Sequence, residues 1–176
     1  MSTADVTATG RVSLREYQLA LSERLQGAEA GARLPSKLGL QVGGEGWLVE
    51  LVEAAEVIPV PPISPVPLAR GWFKGVANVR GNLYSVTDFS AFLGGQAVKL
   101  SADARLLVLS ERFRSGAALL VERSLGLRAL GELTPQSVAT PLPWVRGQYS
   151  DAEGRIWKEL DVAALVEREA FLEVSS

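Results

Sequence analysis

The stretch Gly75-Val-Ala-Asn-Val-Arg-Gly-Asn-Leu-Tyr-Ser-Val-Thr-Asp-Phe-Ser-Ala-Phe-Leu-Gly94 decides the reading of this chain. Val76, Asn78 and Arg80 alternate with Ala77 and Val79, so one face of an extended segment is polar and the other apolar. Gly81-Asn82 then supplies a two-residue turn, with glycine first as a type II′ turn requires. Residues 83–88 form the return strand. The segment is therefore a tight β-hairpin, and the rest of the chain is read outward from it.

On the N-terminal side, residues 37–42 and 47–52 read as strands around Gly43-Gly44-Glu45-Gly46, a glycine-rich hairpin turn. Residues 53–60 hold a further short strand. Pro59, Pro61, Pro62, Pro65 and Pro67 follow, and proline donates no amide, so this stretch is an extended connector rather than a central strand. Beyond the hairpin, residues 90–93 form a single turn ended by Gly94-Gly95. Residues 104–110, 117–122 and 125–130 are strands. Residues 133–143 are turn-rich. Residues 144–149 and 155–160 flank a second hairpin signal, Asp151-Ala-Glu-Gly154. Asp161 can cap a short final helix bearing Val162, Leu165, Val166 and Glu169 at helical positions. Near the N-terminus, Ser13 and Glu16 form a capping box for an amphipathic helix over 14–28, with Leu14, Tyr17, Leu21 and Leu25 at helical spacing. About ten short strands with no βα alternation argue for barrels or sandwiches. No clear sequence repeat stands out, although both halves hold strands, a hairpin and a closing aspartate with apolar residues after it, at Asp88 and Asp161.

Composition removes several function classes. The 176 residues fit one domain or two small lobes, and a net charge of −2 gives no footprint for nucleic acid. Cysteine and histidine are both absent, which removes disulfides, Ser-His-Asp and Cys-His catalysis and nearly all zinc sites. No apolar run reaches the ~20 residues of a membrane span. Residues 1–10 lack the basic flank and apolar core of a signal peptide, so a cytoplasmic protein is expected.

Carboxylates are the remaining catalytic option, with Asp88 paired to Glu50, Glu53 or Asp161, but spacing alone builds no cleft; Asp88 better caps the turn after its strand. The glycines at 43–46 lack the lysine-serine pair and helix of a phosphate loop. Asp151–Gly154 lacks the spaced ligands of a calcium loop. Arg112, Arg114, Arg123 and Arg128 are offset by Glu111, Glu122 and Glu132 and lack interleaved aromatics, so they read as a solvated face rather than an RNA surface. Trp47, Trp72, Trp144 and Trp157 read as core or groove residues.

The pattern Gly-Val-x-Asn-x-Arg-Gly-x-x-x-x-Val-x-Asp over 75–88 resembles the core motif of the CheW-like family, adaptors that couple a chemotaxis histidine kinase to its receptors. Glu56-Val57-Ile58, Trp72-Phe73-Lys74-Gly75, Ala118-Leu-Leu-Val121, Val145-Arg-Gly147 and Trp157-Lys-Glu-Leu-Asp161 resemble further family segments, so the likeness runs over about 38–166. Ser85 stands where the family usually has proline, Phe89 where it usually has leucine. Gly71–Gly81 behind an N-terminal extension is most similar to adaptors of type IV pilus chemosensory systems, which serve twitching motility.

The resemblance implies a mainly β fold of two small five-stranded β-barrels around a shared core, with an N-terminal helix and a short C-terminal helix. It implies an N-terminal extension over 1–36 and a two-lobed domain over 37–172, split near 95–103. It implies no catalysis and no cofactor. The implied partners are the regulatory domain of a CheA-like histidine kinase and the signalling tip of a methyl-accepting chemoreceptor, with no nucleic acid and no direct membrane insertion; the protein would be cytoplasmic and recruited to membrane-associated receptor arrays. Carried onto this chain, the partner-binding set is Glu56, Val57, Trp72, Phe73, Gly75, Asn78, Arg80, Gly81, Val86 and Asp88. Arg80 either reaches a partner carboxylate or ties the connector to the hairpin. Asn78 either satisfies backbone or reads a partner, and Gly75 and Gly81 serve conformation. The alternative reading is a general β-barrel interaction module that binds an extended peptide or a strand edge.

Overall fold

The computed structural model describes residues 35–139 and 142–175. The capping box and the helix expected over 14–28 lie outside the described residues. The first half of the described chain forms β1 (Ser36–Val42), β2 (Glu45–Glu50), β3 (Ala54–Pro59), β4 (Ile63–Ser64), β5 (Phe73–Val79), β6 (Asn82–Asp88) and the single-turn helix α1 (Phe89–Phe92). The second half forms β7 (Arg105–Leu109), β8 (Ala117–Val121), β9 (Arg123–Ala129), β10 (Thr134–Gln136), β11 (Val145–Ser150), β12 (Ile156–Leu160), α2 (Val162–Val166) and α3 (Glu169–Leu172). No helix among the described residues is long and apolar enough to cross a membrane.

The strands form two six-stranded sheets, in the orders β10-β11-β12-β2-β1-β9 and β3-β7-β8-β6-β5-β4. Each sheet takes strands from both halves of the chain. β1 and β2 leave the first half to pair with β9 and β12, while β7 and β8 leave the second half to pair with β3 and β6. A cut near 95–103 therefore divides the sequence but not the sheets. In both sheets the exchanged hairpin joins its host through one parallel contact, β12 with β2 and β6 with β8.

This topology exposes a repeat that inspection of the sequence misses. Trp72-Phe-Lys-Gly75 opens β5 and Trp144-Val-Arg-Gly147 opens β11. A register shift falls at the same place in each, between Phe73 and Gly75 and between Val145 and Gly147. The Asp88 amide donates to the Trp72 carbonyl and the Asp161 amide to the Trp144 carbonyl, both at 2.8 Å. Asp88 then caps α1 through the Ala91 amide, and Asp161 caps α2 through the Ala164 amide.

Neither hydrogen-bond ladder closes. The two five-stranded barrels expected from the resemblance are thus corrected to two six-stranded open sheets. The edge strands β3 and β4 are joined by Val60-Pro61-Pro62 alone. A link that short spans about 14 Å, whereas a flat six-stranded sheet would hold its edges about 24 Å apart, so the sheet must curl steeply. Pro59, Pro61 and Pro62 offer no amide donors at the seam, which keeps the edges from pairing. Residues 130–133 join the edge strands β9 and β10 of the other sheet in the same way.

Curling gives each lobe its own interior, and the two sheets share a third apolar layer. Along β7, Leu107 and Leu109 face the shared core, while Leu106 and Val108 fill the interior of their own lobe. β8 divides likewise, Leu119 and Val121 against Ala118 and Leu120. A strand buried on both faces needs apolar residues at every position, which is why these runs show no alternation in the sequence.

Candidate partner-binding surface

The hairpin turn at the tip of β5 and β6 consists of Arg80 and Gly81, not Gly81 and Asn82. Val79 pairs with Asn82, and Arg80 and Gly81 take φ of 51° and 90°. Two successive positive φ values define a type I′ turn, which corrects the type II′ turn expected from the sequence. Glycine accepts this geometry freely; arginine does not, and a left-handed residue with a side chain costs about 1–2 kcal/mol. Asn78 offsets part of that, because its Oδ1 accepts from the Gly81 amide at 2.8 Å.

The Arg80 side chain is 79% exposed, and its Nη2 lies 3.0 Å from Glu56 Oε2. Glu56 sits on the edge strand β3, so the ion pair crosses the seam between the two edges of the curled sheet. Val57, its neighbour on β3, is half-buried against the shared core. Leu83, opposite Asn78, is among the exposed apolar side chains and widens the tip. The structure thus brings Glu56, Asn78, Arg80 and Gly81 together, with Val57 beside them.

The other members of the expected set sit deeper. Gly75 is buried at φ 125°, where a Cβ would lie 1.9 Å from the Ser64 carbonyl oxygen; only glycine lets the connector cross so closely. Val86 and Asp88 are fully buried and present no surface. Asp88 accepts from the Ala91 amide at 3.1 Å and the Val98 amide at 2.9 Å, and Lys74 Nζ lies 3.6 Å from it. Trp72 stacks on Phe171 of α3 at 6.5 Å and meets Phe92 edge-on at 5.2 Å. Phe73 contacts Trp72 edge-on at 6.4 Å. The C-terminal segment after Phe171 holds the loop before β5: the Arg70 amide donates to the Val174 carbonyl at 2.9 Å, and Arg70 Nε donates to the Glu173 carbonyl at 2.8 Å. Sequence reasoning missed this segment, whose only signal was an aromatic in a polar tail.

It also missed Arg146. The carboxylates weighed as partners for Asp88 are gathered instead around this guanidinium. Nη2 lies 2.8 Å from Glu53 and 3.4 Å from Asp161, and Nη1 lies 3.5 Å from both Glu50 and Glu159. Lys37 pairs with Glu50 at 2.9 Å and with Glu159, and the Tyr149 hydroxyl donates to Glu159 at 2.9 Å. Burial works against the Lys37 ammonium, but its hydrogen bonds to Glu159 and Glu50 outweigh that and raise its pKa. The hydrogen bond from Lys37 holds Glu50 below the usual glutamate range. Burial, then the bond to Glu159, pushes Tyr149 up. The signal for Arg146 was its place in the repeat, where it answers to Lys74: each cation faces the aspartate that caps the following helix.

The Glu50 shift has a pH consequence. Its folded pKa lies below its unfolded value of 4.5, so its contribution is present above that value and fades as pH falls through the folded pKa. Urea midpoints measured from pH 7 to pH 3 are expected to fall less steeply at the acid end for Glu50→Gln than for the parent. Parallel curves would remove Glu50 from the acid response.

The described residues thus form two lobes that exchange hairpins, with an exposed arginine at the tip of the central one. The CheW-like domain family matches residues 37–170, and the chain belongs to that family, whose members are non-catalytic scaffolds. Protein PilI of Pseudomonas aeruginosa is 30% identical over 145 residues, which cover 80% of each chain. Chemotaxis protein CheW of Rhizobium meliloti is 29% identical over 77 residues, 44% of this chain and 50% of that protein. The crystal structure of scaffolding protein TtCheW from Thermoanaerobacter tengcongensis superposes with a TM-score of 0.62 at 16% identity, over 77% of this chain and 94% of that one, which shows the shared fold.

Proposed function

We propose that this chain is an adaptor that couples the signalling tip of a methyl-accepting chemoreceptor to the regulatory domain of a CheA-like histidine kinase, in a type IV pilus system that drives twitching motility. It would act in the cytoplasm at membrane-associated receptor arrays. An N-terminal extension over 1–36 would precede the two-lobed adaptor domain over 37–172. The likeness to PilI across four-fifths of both chains supports the pathway.

The observation that carries the site is Arg80. A long charged side chain is kept where backbone geometry favours glycine or asparagine, it is exposed, and Glu56 across the seam aims it. Strain held at an exposed position argues for a role outside folding. Arg80 and Glu56, with Val57, Asn78 and Gly81 shaping the tip, form the receptor-facing surface in this reading; Trp72, Phe73, Gly75, Val86 and Asp88, farther down the hairpin, would serve it through the fold.

The test is Arg80→Asn. Asparagine tolerates the left-handed turn, so the variant is expected to be as stable as the parent or more stable by about 1 kcal/mol. Receptor-dependent kinase activity, reconstituted with the receptor and kinase of the same system, is expected to fall about tenfold, as for loss of an interface arginine. A variant that couples normally would overturn the site. One that couples normally and also melts early would leave Arg80 a folding residue only.

A further inference from the structure

The segment that follows α2 has little to hold it in shape on its own. α3 is a single turn, and Arg168 at its start makes no side-chain cap. A turn that short is not stable as an isolated helix, so its place is set by what it touches. Phe171 is its one buried residue. The Phe171 ring stacks on Trp72 at 6.5 Å and meets Phe92 edge-on at 5.5 Å. Both of those rings are half-buried. Leu172, the next residue, is exposed.

These contacts have the form of a bound peptide. The chain after Phe171 runs antiparallel to the loop before β5: Ala69 bridges Ser175, and the Arg70 amide donates to the Val174 carbonyl at 2.9 Å. Arg70 Nε donates to the Glu173 carbonyl at 2.8 Å, and Nη2 lies 3.3 Å from Glu173 Oε2. An aromatic anchor between two rings, an acid on an arginine two residues later, and main-chain bonds to an exposed edge are the parts of recognition by strand addition. The edge runs on from Ala69 to Leu68 and Val66, which are 85% and 44% exposed. Leu68 also takes φ 55°, and strain held at an exposed apolar residue argues for a use outside folding.

We propose that Trp72, Phe92 and Arg70 form a second docking site, independent of the Arg80 tip, and that residues 168–175 occupy it as a tethered competitor for a partner segment. The partner segment is extended and carries an aromatic residue, an acid two positions later and an apolar residue beyond that. Its ring takes the place of Phe171, its acid meets Arg70, and its apolar residue covers Leu68. The tether gives the strap a high effective concentration. The partner offsets this by removing from water an apolar surface that the closed form leaves exposed. The site thus opens to a segment of the right pattern and stays shut to others.

The experiment uses the full chain labelled with nitrogen-15 and an acetylated, amidated peptide, Arg168-Glu-Ala-Phe-Leu-Glu-Val-Ser175 with two leucines appended. Binding is read at the Trp72 indole and the Arg70 amide. The parent admits peptide only in the fraction of molecules whose strap is open, so its apparent affinity falls by that fraction. Phe171→Ala loosens the strap and is expected to raise affinity at least about tenfold. Because Phe171 is buried, Glu173→Arg is the second variant: it changes an exposed side chain, keeps the fold and should raise affinity about fivefold, as for loss of an exposed ion pair. Arg80→Asn should leave binding unchanged. The proposal is overturned if the folded variants bind the peptide no more tightly than the parent, if a peptide with alanine for its phenylalanine binds as well, or if the peptide without its two leucines binds as tightly as the extended one.

Discussion

Replacing Gly75 with alanine is expected to destabilise the domain by about 3–5 kcal/mol, the sum of backbone strain and overpacking. The strain is the lesser part: at φ 125° a side chain is disfavoured even in open space. The greater part is contact. The new Cβ would lie 1.9 Å from the Ser64 carbonyl oxygen, 2.7 Å from its carbonyl carbon and 2.8 Å from Pro65 Cα. All three are backbone atoms, so no rotamer change relieves them. Either the connector lifts away from β5, which breaks the β4 pairing, or the register shift at Phe73–Gly75 is lost. Gly81→Ala provides the contrast. It sits at φ 90° with nothing within 4 Å of its Cβ, so only backbone strain remains, about 1–2 kcal/mol. Urea unfolding of both variants separates the two effects. Equal losses would mean that the close crossing of connector and hairpin contributes nothing.

That crossing ties stability to function. The connector that Gly75 admits runs from β3, which holds Glu56, to the strand beside the hairpin that holds Arg80. A lifted connector opens the seam that the Glu56–Arg80 pair spans. Gly75→Ala is therefore expected to weaken coupling through geometry, and Arg80→Asn to weaken it at constant stability.

Much of this was legible in the chain. The central hairpin was, because one of its faces is buried and alternation survives; the capping aspartates were, because an acid before an apolar turn is a local signal. The turn register was misread by one residue. Glycine marks a turn without saying on which side of it the loop lies, and here Asn78 and Glu56 settle the matter by contacts the local pattern does not show. The open sheets could not be read either, since closure depends on how far a three-residue proline link reaches across the sheet. The repeat was hidden because the lobes keep only a tryptophan, a cation, a glycine and an aspartate in common, and their hairpin turns differ in length. The pairing of those four residues is tertiary: the cation faces an aspartate more than ten residues away, and only the exchanged topology shows why both must be there.

Replacing Arg146 with alanine is expected to cost about 2–4 kcal/mol, somewhat less than the about 3–5 kcal/mol for breaking a fully buried ion pair, because water reaches one side of this guanidinium. Its side chain is 37% exposed, but Glu53 and Glu159 beneath it are 6% and 3% exposed. Without Arg146, Glu50 and Glu159 keep Lys37 and Asp161 keeps the Ala164 amide, but Glu53 loses the one cation paired with it among the described residues. Glu53 is worst placed, since its Oε2 has no partner even in the intact protein. Unpaired buried carboxylates hold their protons to higher pH, so the sign is fixed: the variant's deficit should be full at pH 7 and shrink as pH falls through the carboxylate range. Lys74→Ala removes the matching cation of the first lobe and is expected to cost less, because Asp88 keeps two backbone amides and the cation stands farther off, at 3.6 Å. Urea midpoints for the two variants at pH 7 and pH 4.5 test both statements. A deficit for Arg146→Ala that does not change with pH would show that it arises from lost packing, not from stranded charge. The asymmetry between Arg146 and Lys74 has a structural reason. Glu53 stands where the chain leaves one sheet for the other, so Arg146 holds an exchanged hairpin to its host lobe as well as a helix cap, whereas Lys74 reaches the cap and the nearby Gly71 carbonyl.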